Sequence, residues 1–221
     1  DAVTLWHQDA AYFGLRPHEH VTAWVALSEA SETSGCMTFL RHHGGHNGSD
    51  KGEQNETSDQ TPRLLRHKTK AQANSINGAG QSSIDPFDDS SGERATLRVG
   101  EFSLHHTLCV HSSPPNASHD RRIGMGISYI PTRVRHIGST RQRAMLVRGE
   151  DSFGHFDLEP PPGKNVDKNQ AAYDLSLQRY SDGYSEQMDW LCCVYNTKKR
   201  FSNGRNNRLS SKSTAAAFNK F

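Results

Sequence analysis

Apolar and polar residues alternate along this 221-residue chain in short runs of strand length, and rarely with helical spacing. Leu5–Asp9 reads as a first strand and Ala10–Pro17 as the loop that leaves it. Val21–Leu27, β-branched and aromatic, is the clearest strand. The turn formers of Ser28–Gly35 lead into Cys36–Leu40, and the pattern resumes at Ala95–Arg98. Glu101–His106 alternates with period two, as a half-buried strand does, and Leu108–His111 follows after one residue. Arg122–Ile130 is a longer strand in which Gly124 and Gly126 allow close backbone approach, and Pro131 ends it. Short strands divided by turn signals predict a mainly β fold, a sandwich or jelly roll.

The pattern breaks between residues 47 and 93, where Ser, Asn, Gly, Gln, Asp and Thr dominate. Such a stretch buries too little apolar surface to offset its ordering entropy. It is expected to be a long insertion, a lid over a site or disordered, with a helical turn around Leu64-Leu65. Thr132–Asp157 looks poor in strands, Pro160–Gly163 marks a domain edge, and Gln170–Arg179 suits one helix. The expected organisation is a β core over residues 1–160, a helical extension over 161–187 and a disordered tail over 188–221.

Composition narrows the partners. Lys+Arg number 26 against 24 Asp+Glu, which makes no case for nucleic acid or an anionic membrane. Hydrophobic residues are only 33%, in keeping with long polar loops, and no apolar run could span a bilayer. There is no basic-then-apolar leader, and the four cysteines form no disulfide framework or Cys-x-x-Cys site. Cys36 and Cys109 sit in strand-like runs and Cys192-Cys193 are adjacent, so a reducing, cytoplasmic setting and a small-molecule partner are expected. The chain opens at Asp1 directly into a strand, which suggests that preceding elements are missing.

The chemistry begins at His7-Gln8-Asp9. Residues i and i+2 of a strand share a face, so an imidazole and a carboxylate stand side by side there. A non-haem Fe(II) site takes two histidines and one carboxylate on one face of the metal. Taken alone, the pair is a weak signal, because most His-x-Asp pairs are surface residues. His111 ends a strand and can supply the third ligand; a hairpin turning over Pro114–Asp120 would return Arg122 toward it. Arginine grips a carboxylate at two points. Three ligands with an arginine beside them are what 2-oxoglutarate requires, since its keto acid end chelates iron and its far carboxylate needs a cation.

Several separated motifs then resemble the phytanoyl-CoA dioxygenase family of Fe(II)/2-oxoglutarate-dependent oxygenases. They are Trp6–Phe13, Val21–Leu27 with Trp24, Ser34–Met37, Gly100–His106, His111–Ser113, Asn116, Arg121-Arg122 and Ser128–Pro131. The resemblance runs from residue 3 to about residue 160. It implies a double-stranded β-helix (a cupin-like jelly roll) lacking its N-terminal helical part, with His7, Asp9 and His111 as the iron triad. It also implies that Arg122 and Ser113 bind the distal carboxylate of 2-oxoglutarate, with Trp24 and Phe13 lining the pocket; for both aromatics a core role is the alternative. Related halogenases lack the carboxylate ligand, so Asp9 implies hydroxylation by O2 with release of succinate and CO2. The chain departs from the family at Arg41–His46, where a Pro-Gly-Ser-His turn is usual, and from about Met188 onward.

The remaining candidates have plainer readings. His42, His43 and His46 suit a solvated loop better than a second metal site, and one of His105-His106 faces inward beside the site. Arg121 reads as a surface charge. Arg133, Arg135, Arg141, Arg143 and Arg148 form either a solvated face or a clamp for an anionic substrate such as a CoA thioester. Phe153–Phe156 could close over the pocket. Two other functions stay open at this stage: a cupin-like metalloenzyme that does not use 2-oxoglutarate, and a non-catalytic metal-binding remnant of the same fold.

Overall fold

The computed structural model describes residues 3–40, 63–65, 67–70, 81–84 and 92–203. The chain divides into two compact units, Asp1–Gln187 and Met188–Phe221. In chain order the elements are β1 (Thr4–His7), α1 (Ala10–Phe13), β2 (Leu15–Arg16), β3 (Val21–Ala26), β4 (Met37–Leu40), β5 (Lys68–Lys70) and β6 (Gln81–Ser83). They continue with β7 (Gly92–Ala95), β8 (Phe102–His106), β9 (His111–Ser113), β10 (Gly124–Tyr129), β11 (Arg135–His136), β12 (Arg143–Ala144), β13 (Asp157–Leu158) and α2 (Val166–Asn203).

Two antiparallel sheets make the jelly roll, ordered β1-β9-β4-β7 and β10-β3-β8. Ring contacts join them face to face: Phe39 of β4 and His111 of β9 lie 5.3 Å and 4.7 Å from His105 of β8. The interior between the sheets is therefore polar and aromatic at one end. Apolar clusters lie elsewhere. Trp6, Leu40, Ile84 and Val110 pack together with Leu65 against them, and Leu15, Val134 and Phe156 form a second cluster with Phe13, Ile130 and Ala144. Each large apolar side chain buried this way contributes about 1.5–3 kcal/mol.

The first cluster shows what the described parts of the long insertion do. Trp6 points to the face of β1 opposite His7, and Ile84 N–H donates to the Trp6 carbonyl at 2.8 Å. Residues 63–65 and 84 thus cover the back of the strand, not the metal side where a lid would sit. They are held there because Gln8, fully buried, donates to the Arg63 and Leu108 carbonyls and accepts from Leu65 N–H.

Other expectations are corrected by long-range packing. Ala10–Pro17 is not all loop: α1 forms at once after Asp9, closed by Gly14 at φ 58°, and β2 pairs with β11. His111 opens β9 and does not end a strand; a turn at Thr107-Leu108 and the link Cys109-Val110 precede it. β9 and β10 belong to different sheets, so the Pro114–Asp120 connection crosses between sheets and is not a hairpin. That crossing is tethered at Gly35 (φ +76°), where an added Cβ would lie 2.5 Å from the Pro114 carbonyl oxygen. Glu101–His106 alternates as expected but with the polar set inward: His105 is buried, whereas Phe102 and Leu104 are 58% and 62% exposed.

α2 spans Val166–Asn203, well beyond Gln170–Arg179 and into the stretch expected to be disordered. Its start is written locally: the Asn165 side-chain carbonyl accepts from Lys168 N–H at 2.9 Å, and Asp167 lies in the first turn. No helix among the described residues is long and apolar enough to cross a membrane. His42, His43 and His46 lie outside the described residues.

Candidate metal centre

Register brings the two histidines together. His7 of β1 is the direct antiparallel partner of His111 of β9, and Phe39 of β4 is the next partner across. The three rings share the inner face, with His7 and His111 centroids 4.2 Å apart and Phe39 stacked 5.5 Å from His111. Each histidine donates Nδ1–H to the carbonyl two residues before it, His7 to Leu5 at 2.8 Å and His111 to Cys109 at 3.1 Å. Spending Nδ1 on the backbone leaves Nε2 of both rings with a free lone pair aimed inward.

Asp9 follows β1 as the residue before α1, yet its side chain caps nothing in that helix. It stands between the sheets. Oδ1 lies 3.6 Å from His7 Nε2 and 3.7 Å from His111 Nε2. Oδ2 accepts from Thr22 Oγ1 of β3 at 2.9 Å and from His105 Nε2 of β8 at 3.2 Å. Thr22 and His105 are themselves direct partners in the second sheet, and His20 Nε2 lies 3.3 Å from the same hydroxyl. One carboxylate oxygen is thereby occupied by donors and the other is turned toward two imidazole lone pairs. Burial works against ionisation of Asp9, but the hydrogen bond from His105, with the His7 and His111 imidazoles beside it, holds its carboxyl well below the usual range.

The donor set suits a divalent metal. The ligand atoms of His7, Asp9 and His111 all lie within 4.8 Å of one another, and all three side chains are largely buried. Two neutral nitrogens and one carboxylate oxygen converging from one side are what a facial-triad iron site takes.

Arg122 sits just before β10. It is half-buried, with Nη1 3.4 Å from Ser113 Oγ and its guanidinium 5.4 Å from the Trp24 ring centroid. Trp24 in turn lies so close to Gly124 that a Cβ there would come 2.0 Å from the indole. Burial lowers the Arg122 pKa, and no carboxylate among the described residues pairs with it. Arg121 is exposed, as read from the sequence. Phe13 contacts a different set, His20 at 4.6 Å and Tyr180 of α2 at 5.8 Å, and shares no contact with Arg122. Phe153 is 54% exposed.

Sequence reasoning missed several residues that build this site. His67 Nε2 accepts from Gln8 N–H at 3.0 Å and fixes the backbone between His7 and Asp9. Thr22 and His20 orient Asp9 from the opposite sheet. Tyr12, next to Asp9 in α1, sets its ring edge-on to His7 at 5.5 Å and stacks on Tyr184 of α2 at 5.9 Å. The helical periodicity of α2 was the one available signal for Tyr180 and Tyr184; nothing local pointed to Thr22 or His67.

Buried neutral histidines give the fold a pH dependence. Burial pushes His111 down to about 3, and His18 and His67 down to about 4. Unfolded, each titrates near 6.5, so below that value the unfolded chain binds protons that the folded chain refuses. Stability is fully present above pH 6.5 and is lost as pH falls toward 4. For the metal-free chain, His111 alone is expected to cost about 2 kcal/mol between pH 6.5 and 5. Thermal unfolding at pH 7.5 and 5.0 checks this; an unchanged or higher midpoint at pH 5.0 contradicts it.

Two facing antiparallel sheets with a His-x-Asp pair and a distant histidine between them define a cupin-like oxygenase architecture. The phytanoyl-CoA dioxygenase family model matches residues 1–124, and the chain belongs to that family. It is 30% identical over 125 residues to a probable alpha-ketoglutarate-dependent hypophosphite dioxygenase of Stutzerimonas stutzeri, covering 56% of this chain and 38% of that protein. It is 26% identical over 117 residues to a phytanoyl-CoA dioxygenase domain-containing protein 1 homolog of Caenorhabditis elegans, covering 52% and 36%. The chain therefore spans under two-fifths of the length of these curated relatives. Among solved structures, the non-heme monooxygenase ThoJ in its apo form superposes with a TM-score of 0.65 at 25% identity, covering 85% of this chain and 62% of that one.

Proposed function

We propose that the chain carries the active site of an Fe(II)- and 2-oxoglutarate-dependent oxygenase that hydroxylates an unactivated C–H bond of a small organic molecule. The observation that carries the reading is Arg122: a half-buried cation with no carboxylate partner among the described residues, set between Trp24 and Ser113 in a chain whose two inward-facing histidines flank Asp9. An uncompensated guanidinium in such a place fits a ligand that brings its own carboxylate.

In this reading His7 and His111 bind iron through Nε2 and Asp9 through Oδ1. Bound together, iron and 2-oxoglutarate supply the oxidising power for C–H cleavage. The balance is one O2 and one 2-oxoglutarate consumed per C–H bond converted to C–OH, with succinate and CO2 released. The protein's own part is positional. Arg122 and Ser113 hold the distal carboxylate, Trp24 packs under the guanidinium, and Thr22 and His105 fix the Asp9 carboxylate so that Oδ1 faces both histidines. Anaerobic titration with Fe(II) and 2-oxoglutarate tests the assignment: a visible charge-transfer band that needs both components supports it, and metal uptake without such a band overturns it.

His105 acts through Asp9 and is a positioning residue. His105→Phe is expected to weaken metal affinity by about 10–100-fold while leaving His7, Asp9 and His111 in place. His105→Gln, which keeps a donor, is expected to recover part of that loss in the same Co(II) titration. Equal affinity in all three proteins would mean that Thr22 suffices to orient Asp9.

A further inference from the structure

Beside the metal centre lies a cavity of about 460 Å³, within the size range that takes a drug-sized organic molecule. Its walls come from the segment after Asp9 (Tyr12, Phe13), from the end of β10 at Ile127–Ile130, from β12, and from α2 through Ser176, Tyr180 and Tyr184. The walls are chiefly apolar, with aromatic and aliphatic side chains in equal number. Tyr12 and Tyr184 stack at 14° between planes, and Phe13 and Tyr180 meet at 5.8 Å. Ring faces in offset and tilted contact offer broad apolar surface to a flat or cyclic guest.

Two observations tie the cavity to the centre. Tyr12 touches His7 edge-on, so one wall is in contact with a proposed ligand. Tyr180 is pushed up to about 12 by burial and by the charges of Tyr184 and Asp9, so its hydroxyl is within electrostatic reach of the centre.

Its charge balance limits the guest. Arg143 is the arginine in the lining, and its Nε donates to Glu159 Oε1 at 2.5 Å, an oxygen that also accepts from Ser176. Burial lowers the pKa of His136, the other basic side chain there, only partly offset by Glu186. Of the rest of the basic run, Arg133 pairs with Glu19 and Arg141 with Asp157, with Arg179 on the same aspartate, while Arg135 and Arg148 are exposed and do not line the cavity. An anionic group entering the cavity would lose its hydration without finding an uncommitted arginine or lysine in the lining. Of the five arginines that could form a clamp for a CoA thioester, Arg143 is the one that lines this cavity.

We infer that this cavity seats the organic substrate and that the substrate is an uncharged, ring-bearing molecule, recognised by aromatic contact and oriented by tyrosine hydroxyls. The inference rests on the oxygenase reading above and names its substrate class.

Two fluorescent probes sharing one skeleton test it on the full chain: neutral N-phenyl-1-naphthylamine and its sulfonated relative 8-anilino-1-naphthalenesulfonate. The neutral probe is expected to bind once per chain, at least about tenfold more tightly than the sulfonate, a preference of about 1.4 kcal/mol. Ala144→Trp, inside the cavity, and Val147→Trp, at its exposed rim, are each expected to weaken that binding about tenfold or more. The rim variant disturbs no core and keeps the test valid if the inner one fails to fold. Leu104→Ser, on the exposed face of β8, is expected to leave it unchanged. Equal or tighter sulfonate binding, indifference to both tryptophans, or loss in Leu104→Ser overturns the inference. Co(II) added to the probe complex is expected to quench its emission in the parent chain but not in Asp9→Ala. Probe selectivity without metal uptake would uphold the apolar seat and refute the iron reading instead.

Discussion

Asp9→Ala is expected to abolish tight divalent metal binding, with a loss well beyond the about 10–100-fold that follows from disturbing an outer contact. Among the described residues Asp9 is the one anionic group facing His7 and His111, so its removal takes away both a ligand atom and the charge that would offset the metal. It also leaves the Thr22 hydroxyl and the His105 N–H without their acceptor, an unmade pair of buried hydrogen bonds costing about 1–3 kcal/mol each. The two consequences separate experimentally. Co(II) titration followed by visible absorption reads the first, and thermal unfolding of the metal-free chain reads the second. His106→Gln, on the neighbouring position that pairs with Val21 on the other face of β8, is expected to leave metal affinity unchanged. Metal affinity of Asp9→Ala within a few-fold of the parent would remove the triad from the centre of the proposal.

Arg122→Met is expected to lower 2-oxoglutarate affinity by about 100-fold, while Co(II) binding in the absence of 2-oxoglutarate stays within about twofold. The magnitude follows from truncating one side of a largely desolvated charge pair, about 2–5 kcal/mol. Arg122→Lys is expected to rescue only part of the loss, because an ammonium lacks the planar fork and stacks poorly on Trp24. Succinate release at varied 2-oxoglutarate separates a KM effect from a kcat effect. A normal KM in Arg122→Met would leave the half-buried guanidinium without a ligand and the co-substrate assignment without its main support.

The parts of the site legible in the sequence were those written in local chemistry. His7 and Asp9 are two residues apart, so the chain keeps them close, although β1 ends at His7 and Asp9 is already in helical backbone before α1 rather than on the expected strand. Arg122 was legible for a partly wrong reason. It does approach Ser113, but by a crossing between two sheets in place of the hairpin expected over Pro114–Asp120. Glu101–His106 shows the limit most clearly. Period-two alternation is visible in the sequence, yet which face is buried depends on what lies opposite, and here Asp9 draws the polar face inward. Arg133, Arg141 and Arg143 looked like part of one basic patch because their carboxylate partners, Glu19, Asp157 and Glu159, are distant or follow later in the chain.

By itself the sequence determined a mainly β chain, a histidine and a carboxylate two residues apart, and the family to which the chain belongs. These follow from backbone geometry within a few residues and from motifs that keep their order. Only the tertiary structure decided that His111 stands opposite His7, that Thr22 and His105 hold the far side of Asp9, and that Gln8 ties down the insertion behind the metal face. It also decided that Tyr180 and Tyr184 of α2 wall the adjoining cavity. Strand register and sheet order are set by pairing between residues up to about a hundred positions apart, and that information resides in no single stretch of the chain.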